Sequence, residues 1–182
     1  MSEVKNTGFS LKREVLEWVE NMVWALVAVI LIFTFVMRTA TVSGESMLPT
    51  LQHADRLLIS NLGYKPARGD VIVFTPDNRT DPPLVKRVIA TEMQTVDIDF
   101  EQGIVYVDGE ALDEPYVNEL TFETGNVTFP VLVPYNNVFV MGDNRNHSRD
   151  SRFNSVGMVD NKTILGKVLV RFFPFNVAGG VQ

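Results

Sequence analysis

Cysteine is absent from the 182 residues. That excludes a disulfide framework, a thiolate metal site, a cysteine nucleophile and a lipid anchor on cysteine. Histidine is scarce: there are 2, His53 and His147, so the commonest general base has few places to sit. Positive charge is short as well, with 16 Lys and Arg against 22 Asp and Glu and a net charge of −6. No basic stripe offsets that balance, which argues against a nucleic-acid partner. No internal repeat or low-complexity tract is present, and no helical periodicity of useful length follows residue 40. Long apolar runs are missing too, with one exception at residues 22–37.

That run, Met-Val-Trp-Ala-Leu-Val-Ala-Val-Ile-Leu-Ile-Phe-Thr-Phe-Val-Met, carries no charge. A membrane span needs about 20 apolar residues; residues 15–21 can extend the helix, with Trp18 and Trp24 as interfacial anchors and Arg38 snorkelling at the far end. A cleaved signal peptide and a buried core helix are the competing readings. Glu14, Glu17 and Glu20 in the flank, and the lack of an Ala-x-Ala site, favour an uncleaved anchor. Lys5, Lys12 and Arg13 precede the run, whereas Arg38 is followed by a gap to Arg56. The positive-inside rule then places residues 1–21 in the cytoplasm, the anchor at 22–38, and residues 39–182 outside as one domain with its own core. The localisation expected is a single-pass protein of the cell membrane, with the lipid bilayer as one partner. The sequence is silent on oligomeric state.

Beyond the run the pattern is β. Short β-prone stretches fall at residues 56–60, 70–74, 84–90, 95–100, 104–107, 127–133, 138–141 and 163–173, separated by Gly, Pro, Asn and Asp. Asp108-Gly109 between Tyr106-Val107 and Ala111-Leu112 is a hairpin signal. Residues 76–83 read as a surface loop and residues 91–134 as a smaller hairpin-rich insertion. The expected fold is mostly β: an N-terminal transmembrane helix followed by a coiled antiparallel-sheet domain.

Four features carry chemistry. Ser46 follows Gly44-Glu45, where glycine permits a tight turn and backbone N–H groups can face a developing oxyanion; a plain turn with a capping serine is the alternative. Gly44-x-Ser46 lacks the second glycine of a nucleophile elbow, because Leu48 stands there. A serine needs a base. His53 sits in a polar turn; His147 is placed to form a triad with Ser46 and Asp143 or Asp150. Lys86 lies among apolar neighbours in the 84–90 stretch, and burial would lower its pKa and supply a neutral amine; exposure on a strand face is the alternative. Residues 142–152, Gly-Asp-Asn-Arg-Asn-His-Ser-Arg-Asp-Ser-Arg, alternate acids and arginines between two apolar strands, as a solvated loop or as a rigid hydrogen-bonded scaffold. The spacing is wrong for a calcium loop; no metal or cofactor site is expected.

Ser46-Met47-Leu48-Pro49-Thr50-Leu51, Gly69-Asp70-Val71-Ile72-Val73-Phe74, Val85-Lys86-Arg87-Val88-Ile89 and Gly142-Asp143-Asn144-Arg145 with Ser148, Asp150, Ser151 and Arg152 stand in one order behind the apolar run. In that order they resemble the bacterial type I signal peptidases of the single-span, Gram-positive type, over most of residues 38–175. The resemblance implies a membrane-bound Ser/Lys endopeptidase that cuts leader peptides from exported preproteins. It implies Ser46 as nucleophile, Lys86 as general base, and Ser148 as the hydroxyl that hydrogen-bonds the lysine. Asp150 and Arg152 match a supporting ion pair, and Asp143 and Arg145 further scaffold. Met47 matches the pocket for the small side chain before the cut, with Val42, Leu51 and Val85 as further pocket candidates. Gly44 stands where another branch has serine, so the oxyanion hole rests mainly on the Ser46 N–H. The chain departs from the family at His147, usually asparagine, and at residues 90–94, usually a Gly-x-Pro-Gly-Asp turn. Other readings are a related Ser/Lys peptidase with a specialised substrate and a membrane-anchored β domain that only binds.

Overall fold

The computed structural model describes residues 11–35, 37–76 and 82–181 and forms two compact units, residues 1–36 and 37–182. Most of the loop expected at 76–83, residues 1–10 of the expected cytoplasmic segment and Val36 lie outside the described residues.

The first unit is one 25-residue helix, α1 (Leu11–Phe35). Its first half holds Lys12, Arg13, Glu14, Glu17 and Glu20, with Arg13 and Glu17 3.2 Å apart one turn along. The apolar part starts only after them. Among the described residues no helix is long and apolar enough to cross a membrane. The charges in the first turns take up length that a span would need to be apolar. The helix is not a buried core element either, since Trp18 and Trp24 are 78% and 65% exposed.

The second unit is β, and every pairing in it is antiparallel. Its strands are β1 (Arg38–Thr41), β2 (Arg56–Ser60), β3 (Val71–Phe74), β4 (Leu84–Ala90), β5 (Thr95–Asp99), β6 (Ile104–Val107), β7 (Glu110–Ala111), β8 (Val131–Leu132), β9 (Asn137–Met141), β10 (Val159–Asp160), β11 (Ile164–Phe173) and β12 (Gly179–Gly180). The larger sheet runs β1-β2-β11-β3-β4-β9-β10, with β12 added to β11; the smaller runs β7-β6-β5-β8. The smaller sheet occupies the segment read as an insertion.

Sequence explains these choices. In β3, Val71-Ile72-Val73-Phe74 is apolar at every position because both faces are covered. Val71 and Val73 join Val42, Met47, Leu51, Leu57, Ile59 and Val168 in one core cluster. Ile72 and Phe74 join Val88, Val138, Val140, Val156, Val159 and Ile164 in another. A third cluster seats the smaller sheet on the ends of β4 and β9 through Ile89, Ala90, Val96, Val105, Phe139 and Met141. The ten-residue β11 shifts register three times, between Ile164 and Gly166, Val168 and Val170, and Arg171 and Phe173. Such bulges bend a strand and curl its sheet. Asp108 and Gly109 both take positive φ, 55° and 83°, which is the hairpin turn that this dipeptide favours. The stretch expected at 127–133 pairs only as β8, because Pro130 has no N–H to give to a ladder.

Candidate active site

Ser46 sits in the loop between β1 and β2. The loop closes on itself where Val42 N–H donates to the Asp55 carbonyl and Ala54 N–H to the Val42 carbonyl, both at 2.9 Å. Met47 and Leu51, one helical turn apart, drop into the core beneath it at 1% and 0% exposure. Each such burial stabilises by roughly 1.5–3 kcal/mol. The loop is therefore nailed down by its apolar side chains, leaving Ser46 half-buried at the surface.

Lys86 comes from β4, in register with Ile72 of β3. It is 2% exposed, so of the two readings of this residue the buried one holds. Its Nζ lies 2.5 Å from Ser46 Oγ and 3.0 Å from the Val85 carbonyl. Burial pulls the amine down to about 8; Asp150 and Asp143 draw it back up, and Arg149 and Arg152 push it down. A pKa near neutrality lets the amine both take and return a proton.

The 142–152 segment leaves β9 and folds back under Ser46. Asn144 holds both carbonyls flanking the serine: its N–H donates to Ser46 O and its Nδ2 to Glu45 O, each at 3.0 Å. The side chains of this segment pair, but not all with one another. Asp150 forks Arg152 at 2.9 Å to both Nε and Nη2, and accepts the Gly142 N–H at 3.0 Å. Asp143 instead receives Arg87 of β4, at 2.8 and 2.7 Å, and the Thr50 hydroxyl of the serine loop at 2.5 Å. Arg145 reaches into the smaller-sheet segment, where Glu114 accepts it at 2.6 Å on both nitrogens. Burial alone would lower the Arg145 pKa, and the hydrogen bond and charge of Glu114 more than reverse that. Tyr116 stacks on the other arginine, with the Arg87 guanidinium carbon 3.9 Å from its ring centroid. Asp143, Asp150, Arg87, Arg145 and Arg152 are each at most 1% exposed. Charges so deep persist only as hydrogen-bonded pairs.

One expected contact is not made. The Ser148 hydroxyl is buried but has no hydrogen-bond partner, so it does not hydrogen-bond Lys86. The Lys86 amine is taken up by Ser46 and Val85. His147 is exposed, and neither Asp143 nor Asp150 is available to complete a histidine triad, since each is engaged by an arginine. Val42, Met47 and Leu51 are packed as core at 3%, 1% and 0% exposure, with Val85 half-buried against them. Gly44 turns the chain at φ +91° before the serine.

Residues with no role assigned from sequence complete the site. Gly142 opens the 142–152 run, and a Cβ on it would collide with the Ser46 carbonyl oxygen and with Ser148. Thr50, Arg87 and Asn144 lie inside the four ordered segments, where their own residue types point to no particular partner. Glu114 and Tyr116 had no signal at all, lying 31 and 29 residues from Arg145 and Arg87 respectively.

The comparisons with known proteins fall on one class, the signal peptidases. A family model described as "Signal peptidase, peptidase S26" matches residues 15–173. Signal peptidase IB of Staphylococcus aureus (strain COL) is 35% identical over 184 residues, covering 91% of this chain and 93% of its own. Signal peptidase I S of Bacillus subtilis (strain 168) is 36% identical over 189 residues, covering 95% and 97%. A crystallised signal peptidase I from Enterococcus faecalis V583 is 31% identical, with a TM-score of 0.48, over 57% of this chain and 97% of that one. The chain belongs to the peptidase S26 family of signal peptidases and is a serine endopeptidase.

Proposed function

We propose that this chain is a membrane-anchored endopeptidase that removes N-terminal signal peptides from exported preproteins, with Ser46 as nucleophile and Lys86 as general base. The observation that carries the reading is the 2.5 Å approach of a buried lysine amine to the Ser46 hydroxyl. Neutral Lys86 takes the Ser46 proton as Oγ bonds to the scissile carbonyl carbon. The amine then protonates the leaving nitrogen, the C–N bond breaks, and an acyl-enzyme remains. Water attacks that ester, Lys86 accepts its proton, and the C–Oγ bond breaks as the Lys86 ammonium returns that proton to Oγ. The Ser46 N–H, in the turn that Gly44 permits, faces the oxyanion.

The preprotein segment would lie extended against a strand edge, with small side chains beside half-buried Val85, which packs on the buried Val42, Met47 and Leu51. The scaffold of Asp143, Arg145, Asp150 and Arg152 holds the serine loop through Gly142 and Asn144. The apolar part of α1, from Met22 onward, acts as the anchor: Met22, Trp24, Leu26 and Ile30 are 54–69% exposed, a surface suited to lipid and not to water. Anchoring confines enzyme and substrate to one membrane face and raises their effective concentration. A domain that only bound a partner would gain nothing from an amine buried against a serine. The test is processing of a preprotein by Ser46→Ala and Lys86→Ala. Both are expected to be folded and inactive; full activity in Lys86→Ala would sink the reading.

A further inference from the structure

The nucleophile turn has a second tether. Gly44 N–H donates to His53 Nδ1 at 3.1 Å. His53 lies on the returning limb of the same loop, next to the Ala54–Val42 backbone bond that closes it. His53 stands in a polar turn, and the Ser/Lys mechanism does not use it. An imidazole nitrogen that accepts a hydrogen bond carries no proton. Once both ring nitrogens are protonated, each is a donor, and Nδ1–H meets Gly44 N–H donor to donor. The contact then breaks. Gly44 has no side chain to replace it, and a Cβ there would touch nothing within 4 Å.

The titratable groups nearby are few. Glu45, exposed, follows Gly44 in the turn. Asp55, buried, is committed to the Gln52 N–H at 2.9 Å and to Arg171 at 3.1 Å. Among the described residues no charged side chain hydrogen-bonds the imidazole.

We infer that His53 is a positioning residue for the nucleophile turn: its neutral ring tethers Gly44 and holds the Gly44–Ser46 backbone in its reactive shape, and protonation releases it. The inference rests on the Ser46/Lys86 reading of the site. It makes the enzyme sensitive to two protons, one on Lys86 and one on His53.

The experiment is the pH profile of kcat/KM on a detergent-solubilised full chain, with a peptide bearing small residues before the cut. Wild type, His53→Asn and His53→Ala are compared. For wild type the logarithm is expected to fall with slope one as Lys86 gains its proton below about 8. At lower pH, where the imidazole also takes a proton, wild type should lose a further factor of about 3- to 10-fold, as His53→Ala does, and then resume slope one. Asparagine puts Oδ1 where Nδ1 stood and does not titrate. His53→Asn should therefore recover wild-type kcat at pH 9 and keep slope one throughout. His53→Ala, with no acceptor, should lose about 3- to 10-fold in kcat at every pH while KM stays. A wild-type profile without the extra drop, the same drop in His53→Asn, or wild-type kcat in His53→Ala would each overturn the inference. Absence of the limb near pH 8 from all three proteins would instead strike the Ser/Lys reading, and the wild-type to asparagine comparison would still report on His53.

Discussion

Gly142 leaves no room for a side chain between itself and the Ser46 carbonyl. The 142–152 segment can pass beneath Ser46 only because this position lacks a Cβ. The opposing groups are a backbone carbonyl and the buried Ser148, neither of which can swing aside. Gly142→Ala is therefore expected to displace the loop, lose more than about 100-fold in kcat, and destabilise by roughly 1–3 kcal/mol. Steady-state kinetics and urea unfolding would measure both. A variant with wild-type kcat would mean that the loop tolerates the shift.

Lys86 supplies a prediction with opposite signs for activity and stability. Its pKa of about 8, against an ordinary 10.5, means that between those pH values the unfolded chain holds more proton than the folded one. The burial penalty is present in full below pH 8 and fades as pH rises to 10.5. Its size is on the order of 3 kcal/mol. Lys86→Met should be inactive and yet melt higher than wild type at pH 7, with the gap closing by pH 10.5. A variant that melts lower at pH 7 would contradict the assigned burial.

The Arg87–Asp143 fork, 2.7 Å at its shorter arm with both groups at most 2% exposed, should show strong non-additivity. Asp143→Ala strands a buried guanidinium and is expected to cost about 3–5 kcal/mol. Removing both charges with Arg87→Met and Asp143→Leu together should cost less than Asp143→Ala alone. Denaturant titration of the single and double variants measures the coupling energy.

His147 is exposed at the end of a short 3₁₀ turn. His147→Asn should keep kcat/KM within about twofold, the scale of a surface change. A tenfold loss would return histidine to the mechanism.

Much of the β framework was legible because it depends on local pattern. Residues 56–60, 84–90 and 104–107 pair over the bounds their apolar runs suggest, and Asp108-Gly109 makes its turn. The edge strands β1, β10 and β12 were not legible: four or two residues long, they are held by neighbours and not by their own composition. At the site, residue types were readable but partners were not. Nothing local in Arg145 points to Glu114, or in Arg87 to Tyr116, because those contacts depend on how the smaller-sheet segment packs. Lys86 was the sharpest case. A lysine between Val85 and Arg87 reads as an exposed strand residue as readily as a buried one. Burial comes from the pairing with β3 and from the serine loop that reaches its amine, which is tertiary information.

Deprotonation of Ser46 by Lys86 is open to a direct test: the rate at which a serine-directed acylating reagent labels the protein, followed by mass spectrometry across pH. One adduct is expected, on Ser46, whose formation rises with a single proton release near pH 8 and disappears in Lys86→Met. Labelling of Lys86→Met at the wild-type rate, or an adduct on another residue, would contradict it.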